Sequence, residues 1–205
     1  MKNIVLKSMM LGDSGVGKSS IIDRLINGKF DENLGVSMSI DMKKKELEID
    51  NYSILLQLWD TAGNESFKSI IRSVYLETSI AFIVYDVTKA NSFEKVQFWL
   101  EEARHSLRED CLYILIANKI DLGNVITEEE GLDFMKKNNI DLFYEISTKT
   151  GENFDNTFKQ IVSRFAKDTI DSRNIKESIK LLKESNRDLN QKIDDTESGY
   201  SYCST

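Results

Sequence analysis

Gly12-Asp13-Ser14-Gly15-Val16-Gly17-Lys18-Ser19 decides the fold of this chain, because of what stands on either side of it. Before it, Ile4 to Leu11 is mostly apolar and reads as a buried strand. After it, Ile21, Ile22, Leu25 and Ile26 recur at helical spacing within Ser20 to Asn27. A strand, a Gly-x-x-x-x-Gly-Lys-Ser/Thr loop and a helix, in that order, is the setting in which such a loop holds phosphate. Its glycines let backbone N–H groups turn inward around phosphate oxygens, and the helix N-terminus adds partial positive charge. Asp13, Ser14, Gly15, Val16 and Gly17 form the cradle, with Ser20 in the first helical turn. Lys18 can reach the outer phosphates, and the Ser19 hydroxyl can ligate Mg²⁺. By itself the loop specifies a nucleoside triphosphate and leaves the base open.

The base is named further along. Asn118-Lys119-Ile120-Asp121 ends the strand-like run Cys111 to Ala117. An Asp at such a strand end can accept hydrogen bonds from guanine N1–H and the 2-amino group. Adenine offers no such donor pair, and a buried carboxylate left unpaired against it discriminates strongly. A lone Asn-Lys-x-Asp could be a polar turn. Here it stands third in a series that runs from the phosphate loop through Asp60-Thr61-Ala62-Gly63 and ends at Ser147-Thr148-Lys149. Each follows a predicted strand.

Strands are predicted at 3–11, 40–49, 53–59, 80–86, 111–117 and 141–146. Helices are predicted at 17–28, 92–107, 128–138 and 152–167, with a shorter one near 67–75. The alternation argues for an α/β fold: a mostly parallel six-stranded sheet with helices on both faces. Residues 40–49 and 53–59, joined through Asp50-Asn51, read as a hairpin, so one edge is antiparallel. All four motifs then fall at the carboxyl ends of strands, where open α/β sheets bind ligands.

With these residues in place, the chain resembles the Ras superfamily of small GTPases and, within it, the Rab family. The resemblance covers roughly residues 3–168. Leu56-Gln57-Leu58-Trp59-Asp60-Thr61-Ala62-Gly63, Ile83-Val84-Tyr85-Asp86-Val87-Thr88 and Glu145-Ile146-Ser147-Thr148-Lys149 carry it beside the phosphate loop. It implies a P-loop G domain over 1–168, with GTP and GDP as substrate and product and Mg²⁺ as cofactor. The implied nucleotide-binding set adds Phe30 over the base, Gly63 toward the γ-phosphate, and Asn118, Lys119, Asp121, Ser147, Thr148 and Lys149 around guanine. Metal ligation is implied for Ser19, Asp60 and, in the first switch, Ser37, although Ser39 lies close by. Lys18, Gly63 and Asn64 occupy the catalytic positions. Families of this kind mostly place Gln where this chain has Asn64, to orient the attacking water. Asn is shorter by one methylene, about 1.5 Å, and a misplacement of about 1 Å can cost on the order of a hundredfold in rate. Slow intrinsic hydrolysis is therefore expected, and a GTP-bound scaffold with little turnover is the rival reading.

Partners implied by the resemblance are an exchange factor, a GTPase-activating protein and effectors, engaging residues 30–45 and 60–76 in vesicle traffic. Of three aromatics that Rabs usually present to effectors only Trp59 remains, with Met42 and Val74 at the other positions.

Composition sets the bounds. At 205 residues and 40% apolar content, one substantial core and a short appendage are all the chain can build. Its net charge of −7 argues against nucleic acid as a partner. Two cysteines, Cys111 and Cys203, fit a reducing cytosol, and no signal peptide or membrane-spanning run is read. A cytoplasmic protein follows, with the cytosolic face of endomembranes as the site the resemblance implies.

Residues 169–205 form a separate, charged tail. Ile175, Ile179, Leu182, Asn186, Leu189 and Ile193 follow a heptad seam. That leaves two readings open: a tail-mediated coiled-coil dimer or a solvated, helix-leaning linker. Cys203 is the lipidation candidate. The ending Tyr202-Cys203-Ser204-Thr205 is one residue short of a C-a-a-X signal, so an unmodified cysteine and a weak membrane anchor both remain open.

Overall fold

The computed structural model describes residues 2–35, 40–49, 52–61, 75, 77–165 and 167. Six strands form one sheet: β1 (Lys2–Leu11), β2 (Asp41–Ile49), β3 (Tyr52–Asp60), β4 (Ile80–Asp86), β5 (Leu112–Asn118) and β6 (Leu142–Ile146). Their order is β2-β3-β1-β4-β5-β6. β2 runs antiparallel to β3, pairing Ile49 with Tyr52 and Asp41 with Asp60, and every other pairing is parallel. This is the mostly parallel six-stranded sheet with a hairpin edge that the alternation predicts. The hairpin residues Asp50 and Asn51 lie outside the described residues.

The position of each strand follows from its side chains. All seven residues of β4, Ile80 to Asp86, are buried, as a strand covered on both faces requires. β3 instead alternates, with Ile54, Leu56, Leu58 and Asp60 buried and the residues between them half-buried. β2 carries Lys43, Lys44 and Lys45 at the sheet edge. Charged edge side chains oppose further strand pairing.

Among the described residues, four helices with defined ends pack around the sheet: α1 (Lys18–Asn27), α2 (Ala90–Glu94), α3 (Val96–Ser106) and α4 (Glu128–Lys137). A further helix opens at Phe154, two residues later than the predicted 152. On one face, Met9, Leu11, Ile83 and Tyr85 pack with Val96, Trp99, Leu100 and Ala103 of α3. Phe82 points the opposite way, as strand alternation demands, and its ring meets that of Phe158 with centroids 5.6 Å apart; Phe158 in turn lies tilted against Phe154 at 4.8 Å. Ile21 and Ile22 bury the apolar side of α1. Each fully buried aliphatic side chain of this kind contributes about 1.5–3 kcal/mol.

One expectation needs correction. The predicted single helix over 92–107 is two segments, α2 and α3, separated at Lys95, and it begins earlier, at Ala90. The Ser92 hydroxyl explains the early start. It accepts the Asp86 N–H at 3.1 Å and shares its own proton between the Asp86 and Lys89 carbonyls, tying α2 to the end of β4. At α4, Thr127 and Glu130 form a reciprocal capping box that sets the N-terminus. The short helix predicted near 67–75, apart from Tyr75, and the tail at 169–205 lie outside the described residues. Among the described residues, no helix is long and apolar enough to cross a membrane.

Candidate functional site

The phosphate loop joins β1 to α1, and close approach requires two of its glycines, Gly12 and Gly17. Gly17 has φ +103°, and a Cβ there would lie 2.4 Å from Nδ2 of Asn118. Any other residue would need both a strained backbone and a displaced Asn118. α1 starts at Lys18 with no side-chain cap on its first turn. A helix N-terminus whose cap position offers no side-chain acceptor is the kind that attracts anions.

Sequence-distant segments converge on one cavity of about 340 Å³. From the loop and α1 come Ser14, Gly15, Gly17, Lys18, Ser19 and Ser20, and from the segment after α1 comes Phe30. The end of β5 brings Asn118, Lys119 and Asp121, and the turn after β6 brings Thr148 and Lys149. Three expected residues do not line it. Val16 and Ser147 are buried behind the wall, at 1% and 0% exposure. Asp13 turns its carboxylate away toward Lys95.

Lys18 is buried. Its Nζ donates to the backbone oxygens of Gly12 at 2.9 Å and Asp13 at 2.8 Å. Burial lowers its pKa to about 8, against the opposing pull of the Asp60 and Asp13 carboxylates. The opposite end of the cavity is a network of side chains. The Ser147 hydroxyl donates to Asp121 Oδ1 at 2.6 Å. Asn118 Nδ2 donates to the Val16 carbonyl at 2.9 Å, while its Oδ1 accepts the N–H and the hydroxyl of Thr148 at 3.1 and 2.8 Å. The Asn118 amide is thus engaged by protein, tying three loops together.

Lys119 adopts a left-handed backbone, φ +71°. Its Nζ donates to the Gly15 carbonyl and to Asp86 Oδ2, both at 2.7 Å. Asp86, 1% exposed, also accepts the Thr88 N–H and hydroxyl on Oδ1. Burial pushes its carboxyl up, but the Lys119 and Thr88 hydrogen bonds and the Lys119 charge outweigh that and hold it below the usual range. The sequence reading gave no role to Asp86. A charged residue closing the otherwise apolar run from Ile80 was the available signal.

Asp60 and Ser19 line an adjoining cavity of about 250 Å³, with Asp41 and Lys43 on its wall. Thr61 lines the main cavity and anchors its hydroxyl on the Met10 carbonyl at 2.5 Å. Ser37, Gly63, Asn64 and Cys203 lie outside the described residues.

A family model described as "Ras family" matches residues 7–167. The chain is 37% identical over 161 residues to Ras-related protein Rab-18 of Caenorhabditis elegans, covering 78% of this chain and 79% of the relative. It is 38% identical over 161 residues to Ras-related protein Rab-18-B of Danio rerio, covering 78% of each. With Ras-related protein Rab-2B of Dictyostelium discoideum it shares 35% over 165 residues, 80% of this chain and 81% of the relative. Together with the sheet order and the convergence of the phosphate loop, the end of β5 and the turn after β6 on one cavity, these matches make the chain a member of the Rab family of Ras-superfamily GTPases.

Proposed function

We propose that this protein binds GTP and GDP at the 340 Å³ cavity and hydrolyses GTP slowly, as a switch in vesicle traffic. The observation that carries the reading is Asp121, oriented by Ser147 at 2.6 Å in the same cavity as Lys18 and Ser19. A carboxylate fixed at one end selects a base with paired donors, while a buried cation and a helix N-terminus without a side-chain cap at the other suit phosphates. Phe30 and the Lys119 stem offer apolar surface to the base.

Ser19 and Asp60 present a hydroxyl and a carboxylate to one cavity, the oxygen donors that Mg²⁺ takes. These residues fit the ion, and in this reading they hold it together with Ser37. Bound there, Mg²⁺ would neutralise charge on the β- and γ-phosphates. Residues 1–168 carry the switch, and 30–45 and 60–76 meet exchange factor, activating protein and effectors. The tail 169–205 is a separate segment, with Cys203 its candidate for lipid attachment.

The rival, a GTP-bound scaffold with little turnover, rests on Asn64 in the Gln position. Single-turnover hydrolysis separates the two. Asn64→Gln is expected to raise the intrinsic rate by about tenfold with GTP affinity unchanged, since the residue acts on the attacking water in the transition state. Equal rates for the parent, Asn64→Gln and Asn64→Ala would remove Asn64 from the chemistry. Binding is tested separately: ATP competing with GTP at comparable affinity would overturn the base assignment.

A further inference from the structure

We infer that Arg24, which no motif contains, is a positioning residue for base recognition, linking the phosphate-loop helix to the loop that orients Asp121. The inference rests on the proposed nucleotide site. Arg24 sits on α1, two turns beyond the phosphate loop, and its Nη1 donates to the backbone oxygens of Thr148 at 2.9 Å and Lys149 at 3.2 Å. Its guanidinium carbon lies over the Phe154 ring, 5.4 Å from the ring centre. Nε is buried with no acceptor of its own, so the two carbonyls and the ring hold the group.

The loop is shaped to receive it. Gly151 has φ +88°, and a Cβ there would stand 2.3 Å from Nη2 of Arg24. The Gly151 N–H closes the loop on the Ser147 carbonyl at 2.9 Å, and the Thr150 N–H on the Ser147 hydroxyl, also at 2.9 Å. That same hydroxyl donates its proton to Asp121. A chain of contacts therefore runs from α1 through Arg24 to the 147–151 loop and so to the carboxylate proposed to read the base. Both carbonyls accept from the one nitrogen Nη1, whose N–H directions are fixed in the guanidinium plane, whereas a Lys ammonium on a flexible stem holds them less rigidly.

If Arg24 acts through Asp121, its loss should be felt where Asp121 touches the ligand. Guanosine and inosine diphosphates differ by the 2-amino group alone, which makes their affinity ratio a readout of that carboxylate. In Arg24→Gln, GDP affinity is expected to fall about tenfold, as for loss of a charge-assisted hydrogen bond. IDP affinity should fall less, so the GDP-to-IDP ratio narrows, while Arg24→Lys recovers part of it. The GDP-to-GMP ratio, which reports on the phosphates, should stay at the parental value.

An unchanged GDP-to-IDP ratio in Arg24→Gln, with only a lower Tm, would reduce Arg24 to a structural prop and overturn the inference. A changed GDP-to-GMP ratio with constant GDP-to-IDP would also overturn it, since the arginine would then act on the phosphate end. Should Arg24→Gln fail to fold, Arg24→Lys and Gly151→Ala carry the same measurements, Gly151→Ala crowding the guanidinium from the loop side. Failure of the underlying site is distinguishable, because the unsubstituted protein would then show no preference for GDP over ADP.

Discussion

At one end of the cavity Asp121 is held by Ser147, Asn118 by Val16 and Thr148, and Lys119 by Asp86 and Gly15. At the other, Lys18 rests on the carbonyls of its own loop, and α1 begins without a side-chain cap. The first region has its polar groups paired among themselves. The second presents a helix N-terminus without a side-chain cap and a buried ammonium held by loop carbonyls alone. Selectivity for one base demands a rigid template, since a loose carboxylate could adapt to the wrong donor pattern. Holding a phosphate chain demands donors that become satisfied only when the anion arrives. In the proposed reading, discrimination and affinity fall to different materials: interlocked side chains at one end, loop backbone with one cation at the other.

The sharpest way to break that division is at Asp121. Asp121→Asn should lower GTP affinity by at least about a hundredfold, because guanine's donors then face an amide donor. Xanthine nucleotides, whose 2-oxo group accepts, should gain. Competition binding with GTP and XTP measures both, and a uniform loss for the two would mean that the residue does not read the base.

Next comes the phosphate end. Lys18→Ala should weaken GDP and GTP together by about tenfold or more, the scale of a lost charge-assisted contact. Ser19→Asn should instead weaken Mg²⁺-dependent GTP binding more than GDP binding, since the triphosphate relies more on the metal for neutralisation. Equal losses for GDP and GTP in Ser19→Asn would take that hydroxyl off the metal.

The smallest effect tests how rigid the base end is. Asp86→Asn removes a buried charge that accepts from Lys119 and Thr88, and should cost about 1.5–3 kcal/mol of stability. The Asp86 carboxyl is held below its usual range in the fold. Its contribution is therefore complete above the unfolded-state value, about pH 4, and is lost as pH falls through the folded one. Thermal unfolding across pH 2–7 should accordingly show a shallower acid limb in Asp86→Asn, and an identical limb would mean the Lys119–Asp86 pair adds nothing.

Much of this was legible along the chain. Ile80 to Asp86 and Leu112 to Asn118 are apolar runs that a doubly covered strand requires, and they occupy adjacent interior positions of the sheet, β4 beside β1 and β5 beside β4. The β2–β3 hairpin and the motif order were equally readable, because each depends on residues close in sequence. Helix boundaries were less so. The break at Lys95 and the early start at Ala90 depend on Ser92 bonding back to β4, which periodicity does not record.

The side-chain connections within the site were not legible. Lys119 meets Asp86 from 33 residues away, Lys95 meets Asp13 from 82, and Arg24 meets Thr148 from 124. Hydrophobic pattern and loop motifs determined by themselves that this chain builds an α/β sheet with a phosphate loop and a guanine-type motif, because periodicity and turn geometry are local properties. Which charge pairs with which, and which arginine braces the base loop, only the tertiary structure decided. Ion pairs and hydrogen bonds form between groups within about 3 Å, and only the packed sheet sets those distances.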